Sequence, residues 1–555
     1  MKTPALTLVA ATVAFLNPSV ACPPEGQVVE EIASPQKEPK SEDNKKEKAE
    51  EEKKNQKLEG LRILVAGGGY SPSGNQISLE SNVKYFRRVL ADLGLSDLQT
   101  HTLFADGKDK GRDLQYADPS FRVPEINRIM AELIGSTRGL QHQYRTNELE
   151  PDGPALVAEL DKWFDEMAKQ SSEGSLIYFT GHGGKGDKKT PDNTTIHLWN
   201  NQKMKVRDMV KRLDKLPKDK PVTFVMVQCY SGGFANVIFK DGDPKKGLSE
   251  HTRAGFFATV QDRVAAGCTP DIREENYKEY STSFWEALCG KSRMGKAVKK
   301  PDYDGDGKTS YAEAHAHVIL NSDTIDIPIK TSGAFLRKYS KLSKEKKTPS
   351  KEGKDANSTA DSKCEATEEE WITLETDYKD ILENASAADR AVLEGLSQRL
   401  NLKGPNRAKA AKDLSKKIED ERKKLADKKK KPGDETKRIK TKLAGQIRKR
   451  WPEVGNPYHP TARGLLEVKG SKDLMDIVNR DGEWAKYRKA KNEIGALDRK
   501  RFELDRKKVK CMRFLRILEN VVLEANLSFL AKKDIKEAYE RIVELENETL
   551  AASKK

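Results

Sequence analysis

Residues 175–184 read SLIYFTGHGG, and residues 222–233 read VTFVMVQCYSGG. Each stretch begins with an apolar run typical of a buried strand and ends in glycines beside one reactive side chain, His182 in the first and Cys229 in the second. The helical pattern of residues 206–216 would join the two strands as parallel neighbours. Because the carboxyl ends of parallel strands meet at one edge of a sheet, we expect His182 and Cys229 to share a cleft.

An imidazole beside a thiol is the pair that nucleophilic cysteine chemistry requires, since the imidazole handles the proton while the thiolate attacks a carbonyl. The main chain at Gly183 carries no side chain, so its amide and that of Cys229 can hold an oxyanion. Taken alone, Cys229 is more simply explained as a buried structural cysteine, and His182 as a histidine in a loop. Their shared position at strand ends favours the catalytic interpretation.

The order of strand, His-Gly, roughly fifty residues, strand and Cys resembles the caspase-like clan of cysteine peptidases. The segments most similar to the legumain branch of that clan are YFTGHGG (178–184), FVMVQCYSGGF (224–234), ILVAGGGYSPSG (63–74) and YSTSFWEAL (280–288). The resemblance covers about residues 60–335. It implies peptide-bond hydrolysis through a thioester acyl-enzyme, with Cys229 as nucleophile, His182 as acid and base, and Gly183 in the oxyanion hole.

The specificity pocket of legumain does not carry over to this chain. Lys278 and Glu279 precede Tyr280, so the acidic residue found before this tyrosine in legumain is not cleanly matched. The arginine of legumain's first loop has no counterpart among residues 71–78. The acid that follows the FFAT strand corresponds to Asp262 only with a gap. We therefore transfer no preference for asparagine, and Asp262 is a candidate to receive a basic substrate side chain.

A second motif, DYDGDGKTSYAE, occupies residues 302–313 and fits the calcium loop of an EF-hand. Its six candidate ligands are Asp302, Asp304, Asp306, Lys308 through its main-chain carbonyl, Ser310 directly or through water, and Glu313. Three carboxylates this close repel one another unless a cation lies among them. Lone extracellular loops of this kind bind Ca²⁺ weakly, with Kd on the order of 10⁻⁴ to 10⁻³ M. Several caspase-like peptidases need calcium, so the resemblance implies a structural or activating role.

No organic cofactor is expected. The glycines after the first strand do not fit a dinucleotide fingerprint, because Pro72 stands where the third glycine would follow Gly67 and Gly69. His315 and His317 follow the calcium loop and are expected at the surface rather than as zinc ligands.

The N-terminus predicts export. Lys2, the apolar residues 5–16 and the small residues 19–21 before Cys22 form a secretory signal peptide, 1–21, whose apolar run is too short to span a bilayer. Cys22 directly after the cut is a candidate for lipidation, although Ser19 stands where lipoproteins carry an aliphatic residue. Free secretion and lipid anchoring both stay open, so the protein is expected to be periplasmic, extracellular or anchored to the envelope.

Six cysteines are present, and an exported protein can form disulfides. With Cys22 and Cys229 set aside, four cysteines remain and can pair in three ways. We favour Cys268 with Cys289 and Cys364 with Cys511, because each pair lies within one proposed domain.

The chain divides by composition. Residues 22–59 are rich in Pro, Glu and Lys and predict a disordered tether. Residues 60–340 alternate apolar strands with amphipathic helices, which predicts an α/β, caspase-like, mostly parallel sheet sandwiched by helices. Residues 341–364 form a linker, and residues 365–555 show long charged helices with apolar stripes. These predict a separate all-α accessory domain.

The net charge of +15 is concentrated, since residues 403–450 hold 20 Lys or Arg against 7 Asp or Glu. Such a run is usually a solvated helix, and binding to an acidic polymer is the alternative. Nucleic acid is not an expected partner, because interleaved aromatic residues are missing. The helical region is expected to bind a partner or to regulate the enzyme in cis.

These observations predict a secreted or envelope-anchored, calcium-binding cysteine endopeptidase that acts on protein or peptide substrates. The alternative is a non-catalytic envelope scaffold built on a peptidase-like fold. The presence of both His182 and Cys229 argues against that alternative, because a scaffold has no chemical need for the pair.

Overall fold

The computed structural model describes residues 60–135, 140, 142–169, 174–343 and 371–550. These all belong to one compact unit, Glu52–Lys555. The predicted signal peptide, the tether, most of the linker, Cys22 and Cys364 lie outside the described residues. Among the helices described, none combines the length and the apolar character that crossing a bilayer would need.

The central sheet confirms the α/β prediction. The described residues contain ten strands: β1 Leu61–Gly68, β2 Thr100–Phe104, β3 Leu114–Tyr116, β4 Gln143–Arg145, β5 Gly174–Gly184, β6 Thr195–Leu198, β7 Gln202–Lys205, β8 Val222–Val227, β9 Arg253–Phe257 and β10 Ile329–Lys330. Six of them lie side by side in the order β10-β9-β8-β5-β1-β2, and only β10 is antiparallel to its neighbour. The hairpin β6–β7 extends from the end of β5, and β3 pairs with β4 separately.

Both faces of this sheet are covered, because successive strand side chains point to opposite sides. Toward one face point Ile63, Val65, Leu176, Tyr178, Val225 and Phe256. Toward the other face point Leu64, Ala66, Ile177, Phe179, Phe224 and Met226. Nearly all of these side chains are fully buried. The apolar runs read from the sequence are therefore strands covered on both sides.

The helices fall into two groups along the chain. Those up to residue 343 are α1 Ile77–Asp92, α2 Glu125–Leu133, α3 Val157–Met167, α4 Val206–Leu213, α5 Tyr280–Cys289, α6 Tyr311–Asn321 and α7 Thr331–Tyr339. Those after residue 371 are α8 Tyr378–Glu383, α9 Ala387–Arg399, α10 Arg407–Arg450, α11 Pro460–Gly464, α12 Val468–Asn479, α13 Glu483–Leu530 and α14 Lys533–Glu546. Helices α1, α5 and α6 cover the first face of the sheet, and α3 and α4 cover the second.

Helices α10 and α13, of 44 and 48 residues, form an antiparallel pair. The ion pair of Lys429 with Asp498 and that of Glu419 with Lys508 show the opposite directions. Helix α10 continues through Pro432 to Arg450, although a proline usually kinks or breaks a helix interior. Its distal half is held in place because Ile439, Leu443 and Ile447 are buried against α2 and α12.

The prediction of a separate C-terminal domain is wrong, although the region is all-α as expected. Val509 of α13 is part of the core on one face of the sheet. The carboxylate of Glu546, at the end of α14, is buried and accepts hydrogen bonds from Thr331 Oγ1 and the Ser332 amide, each at 2.8 Å. Glu546 thus caps the start of α7. The apolar residues of α13 pack mainly against α8, α9 and α10, and also against α6, α7 and the sheet.

Arg513 of α13 makes the most extensive polar contact between the two regions. Its guanidinium is fully buried and donates to the main-chain oxygens of Ile319, Ser322, Thr324 and Asp326, over distances of 2.7 to 3.2 Å. These oxygens lie at the end of α6 and in the loop after it. A single side chain of α13 therefore satisfies the last carbonyls of a helix in the α/β region.

Candidate active site

His182 and Cys229 lie at the same level on neighbouring strands. Strand β5 is paired with β8 in parallel, and the last paired residues are Thr180 and Val227. His182 and Cys229 each follow two residues later, at the carboxyl edge of the sheet. Gly183 contacts the Cys229 main chain so closely that a Cβ atom there would collide with the Cys229 carbonyl oxygen. The structure thus brings together the three residues that the sequence placed in one cleft.

A sharp turn leaves the Cys229 side chain at the end of its strand. Tyr230 adopts a left-handed conformation, with φ of 61°, and a 3-10 helix begins at Ser231. The Tyr230 amide donates to the carbonyl oxygen of Arg263 at 2.8 Å, which anchors the turn. A left-handed non-glycine residue is strained and is often found at functional sites.

The ring of His182 is held in one tautomer. Its Nε2 lies 2.8 Å from the carbonyl oxygen of Gly74 and 3.0 Å from Oε1 of Gln76. Both partners can only accept, so Nε2 must carry a proton, and a neutral ring then offers Nδ1 as its proton acceptor. Tyr70 packs edge-on against the ring, with 5.2 Å between centroids. Burial lowers the pKa of His182.

The sulfur of Cys229 is held by a loop that follows β9. The main-chain amide of Ala265 lies 3.4 Å from Cys229 Sγ. The next amide, that of Ala266, donates to Oδ1 of Asp326 at 2.7 Å, which anchors the loop from behind. Burial, followed by the nearby Cys268, raises the pKa of Cys229 to about 11. Near neutral pH the pair therefore rests as a thiol beside an uncharged imidazole.

A small cavity, partly open to solvent, lies beside Cys229. It is lined by Leu79, Asn82, Thr180, Gly181, Val227, Gln228, Cys229, Ala265, Ala266, Gly267, Cys268 and Glu279. The Gln228 side chain is 2 % exposed, and among the described residues neither of its amide atoms has a hydrogen-bond partner. Asp262 is exposed and is not one of the lining residues. The acid in the wall is Glu279 instead.

The carboxylate of Glu279 already has hydrogen-bond and ion-pair partners within the protein. Its Oε1 accepts hydrogen bonds from Ser281 Oγ at 2.5 Å and from the amide and hydroxyl of Thr282 at 3.1 Å. Arg293 lies 3.6 Å from the same oxygen. Burial raises the pKa of Glu279, and Arg293 opposes that shift. The wall of the cavity is therefore acidic, and its charge is partly neutralised.

The predicted calcium loop lies apart from the cavity, before α6. Oxygens of Asp302, Asp304 and Asp306 lie within 4.8 Å of one another, as a shared cation would require. Asp302 also accepts hydrogen bonds from the amides of Gly305 and Gly307. Both glycines have positive φ, which suits the tight turns of such a loop.

The other predicted calcium ligands are placed differently. Glu313 is buried, and its carboxylate accepts from the amides of Tyr303 and Ser310 at 2.5 and 2.9 Å. Ser310 in turn caps α6 by accepting from the Glu313 amide. Glu313 is not part of the group of three aspartates, and Lys308 is exposed.

Several residues of this site were not singled out from the sequence. Gly74 and Gln76 follow β1, the strand beside β5, so the loop after β1 lies next to His182. Ala265, in the loop after β9, contacts Cys229 from the other side, and Asp326, in the loop after α6, holds the Ala266 amide. The strand order would have indicated the first pair, whereas small and common residues such as Ala265 carry no sequence signal.

Two predictions about side chains are wrong. The described cysteines, Cys229, Cys268, Cys289 and Cys511, are all free. Cys268 lies beside Glu279 at the start of α5, whereas Cys289 ends that ten-residue helix. At about 1.5 Å per residue the two are roughly 15 Å apart, beyond the 7 Å or so that a disulfide spans.

His315, which the sequence placed at the surface, is buried between helices. Its Nδ1 lies 2.6 Å from the hydroxyl of Tyr280, and the residue is 2 % exposed. The helical face that carries His315 packs against α5 rather than facing solvent. The side chain therefore links α6 to α5.

Comparisons with known proteins assign no family to the chain. No family model matches it, and no curated protein matches it. Among solved structures, the chain is similar to protein GSU0716 from Geobacter sulfurreducens, with 11 % identity, coverage of 49 % of this chain and 92 % of that chain, and a TM-score of 0.28. A likeness at this level carries no argument about the activity of either protein.

Proposed function

We propose that this chain is a cysteine endopeptidase of the caspase-like clan that hydrolyses peptide bonds with Cys229 as nucleophile and His182 as general base. The observation that carries the proposal is the shared register of the two residues, each two positions beyond the paired Thr180 and Val227. Nucleophile, base and a third group that orients the base form the usual arrangement for such chemistry. Gly74 and Gln76 supply that third group.

The proposed reaction begins from the neutral pair. Nδ1 of His182 accepts the thiol proton as Cys229 Sγ attacks the substrate carbonyl carbon. Main-chain amides at Gly183 and Cys229 hold the developing oxyanion. The imidazolium then protonates the leaving amine, a thioester remains on Cys229, and water hydrolyses it with His182 again as base. A pair that starts neutral avoids burying an ion pair before substrate arrives.

The cavity beside Cys229 supports binding of a substrate side chain with a polar or basic end. Gln228 offers an unpaired amide, and Glu279 supplies a partly neutralised acid in the wall. A substrate group that hydrogen-bonds to Gln228 would relieve the cost of leaving a buried amide unpaired. Asp262, the candidate from the sequence, lies outside this cavity.

We also propose that Asp302, Asp304 and Asp306 bind Ca²⁺, with an activating effect on the site. The loop leads directly into α6, whose far end is followed by Asp326. Asp326 anchors the Ala266 amide, next to the amide that contacts Cys229. A cation that orders the start of α6 would thereby favour the observed position of the Cys229 loop. The N-terminal sequence supports an exported setting, where calcium is plentiful.

The test is hydrolysis of a peptide library with varied P1 residues, with and without Ca²⁺, by the wild type, Cys229→Ala and Cys289→Ala. Cys289 is a free, half-buried thiol that does not line the cavity, so its variant is the matched control. We expect Cys229→Ala to lose at least about 10³-fold in kcat/KM and Cys289→Ala to keep full activity.

Activity that survives Cys229→Ala would refute the catalytic assignment. Full activity in the presence of a calcium chelator would remove the activating role of the loop. A folded wild-type protein that cleaves no peptide of the library would favour the alternative, a non-catalytic envelope scaffold.

A further inference from the structure

Cys268 lies in the same cavity as Cys229, and the proposed peptidase mechanism gives it no role. Its sulfur contacts the carbonyl oxygen of Gly181 at 3.8 Å. Gly181 immediately precedes His182 on β5, at the level of Gln228 on β8. Cys229 and Cys268 both line this small cavity.

The loop that carries Cys268 also holds the sulfur of Cys229. The Ala265 amide contacts Cys229 Sγ, and Cys268 follows only three residues later. Between them, Gly267 has φ of 142°, a conformation that residues with side chains rarely adopt. Cys268 is exposed as a residue while its sulfur points inward. Gly267 is thus a point at which the main chain of this loop can turn to carry Cys268 toward Cys229.

We propose that Cys229 and Cys268 form a reversible disulfide under oxidising conditions and that this bond switches the site off. The inference rests on the proposed function for its regulatory meaning, since the bond consumes the nucleophile. The disulfide itself depends only on the shared cavity. It replaces the pairing of Cys268 with Cys289, which the length of α5 forbids.

With hydrogen peroxide as oxidant, the chemistry balances in two steps. The Cys229 thiolate attacks one peroxide oxygen, the O–O bond breaks, and Cys229 sulfenic acid and water form. The Cys268 thiol then attacks the sulfenic sulfur, the S–O bond breaks, and a second water leaves. Two thiols lose two electrons and two protons, and one peroxide becomes two waters. A dithiol reductant reverses the bond by exchange.

The reaction should be slow at neutral pH and faster in alkali. Burial and the neighbouring cysteine raise the pKa of Cys229 to about 11, and the thiolate is the species that attacks peroxide. Each unit of pH below that value is expected to change the initial rate about tenfold. At neutral pH the Cys229 thiol is therefore oxidised slowly, and the disulfide with Cys268 forms only after prolonged exposure to the oxidant.

The test uses the purified protein treated with hydrogen peroxide near pH 8.5, alkylated, digested with trypsin and analysed by mass without reduction. Cys229, Cys268 and Cys289 fall in separate tryptic peptides, residues 219–240, 264–273 and 279–291. We expect a joined pair of the first two peptides, about 2 Da lighter than their sum, which dithiothreitol separates. Cys289→Ser should give the same joined pair.

Cys268→Ser is the decisive variant. Without its partner, Cys229 should gain about 32 or 48 Da, and dithiothreitol should restore neither its mass nor its activity. Comparison of melting temperatures establishes that the serine variant is folded. The inference is overturned if wild-type Cys229 over-oxidises while Cys268 remains open to alkylation, or if Cys268 instead joins Cys289. The joined pair is detected by mass, independently of activity. If the reduced protein cleaves peptides but peroxide produces no joined pair, this inference alone fails. If the joined pair forms but the reduced protein cleaves no peptide, only the proposed function fails.

Discussion

Oδ1 of Asp326 accepts a hydrogen bond from the Ala266 amide at 2.7 Å, one residue beyond the amide that contacts the Cys229 sulfur. The main-chain oxygen of the same Asp326 accepts from Nε of Arg513 on α13, also at 2.7 Å. Burial raises the pKa of Asp326 to about 6, and the hydrogen bonds from Ala266 and Thr324 oppose this shift. A helix more than 240 residues downstream of Cys229 thus anchors the loop that holds its sulfur.

The first prediction concerns that anchor. Arg513→Met should reduce the free energy of unfolding by about 3 kcal/mol, because four buried carbonyl oxygens lose their donor. Urea unfolding measures the change. Lys510→Met on the same helix is the control, since it breaks only the half-exposed ion pair with Asp323 and should cost less than about 1 kcal/mol. Equal effects of the two substitutions would contradict the anchoring role.

The second prediction concerns the orientation of the His182 ring. Gln76→Ala removes one of the two acceptors on Nε2 and should lower kcat about ten- to hundredfold with little change in KM. Gln76→Glu places a negative charge there, stabilises the imidazolium and should move the acidic limb of the pH–rate profile to higher pH. Gln115→Ala is the control, because Gln115 contacts Gln76 but not His182. An unchanged pH profile in Gln76→Glu would count against the assignment.

The third prediction concerns stability in acid. Burial, followed by the charges of Lys203 and His182, lowers the pKa of His197 from 6.5 to about 4. Between these pH values the unfolded chain binds a proton that the folded chain does not, so this residue makes unfolding easier as the pH falls through that window. His197→Gln should weaken the dependence. Unfolding by urea at several pH values measures it, and the difference at pH 8 corrects for lost packing. A constant difference between the two proteins across the window would refute the prediction.

The fourth prediction concerns the calcium loop. Ca²⁺ should bind with Kd on the order of 10⁻⁴ to 10⁻³ M, and Asp304→Asn should weaken binding at least about tenfold by removing one negative ligand. Isothermal titration measures both values, and binding should raise the melting temperature. Asp427→Asn, at an exposed position on α10, is the control. Equal affinity in Asp304→Asn and the control would show that the three aspartates are not the ligands.

The sequence indicated the sheet and the His182–Cys229 edge because each depends on local signals. Apolar runs followed by glycine mark the strand ends at Thr180 and Val227 whatever the rest of the chain does. Gly74 and Gln76 could not be found this way. Their place beside His182 depends on β1 being the neighbour of β5, which follows from packing rather than from any local pattern.

Ser310 and Glu313 show a different difficulty. Serine followed three residues later by glutamate fits the last ligand positions of a calcium loop and equally fits a capping box at a helix start. The structure realises the capping box, and Glu313 faces main-chain amides rather than the aspartates. The role of Arg513 could not be predicted for a similar reason. An arginine among many charged residues is expected at the surface, and only the structure shows that Arg513 is buried.

The buried carboxylate of Glu546 has a consequence for how the protein folds during its synthesis. Glu546 caps α7 and Arg513 anchors the Cys229 loop, yet both are synthesised about 300 residues after His182 and Cys229. A growing or truncated chain holds His182 and Cys229 without the frame that orders them. We therefore expect the observed arrangement of His182 and Cys229 to form only after α13 and α14 have folded onto the α/β region.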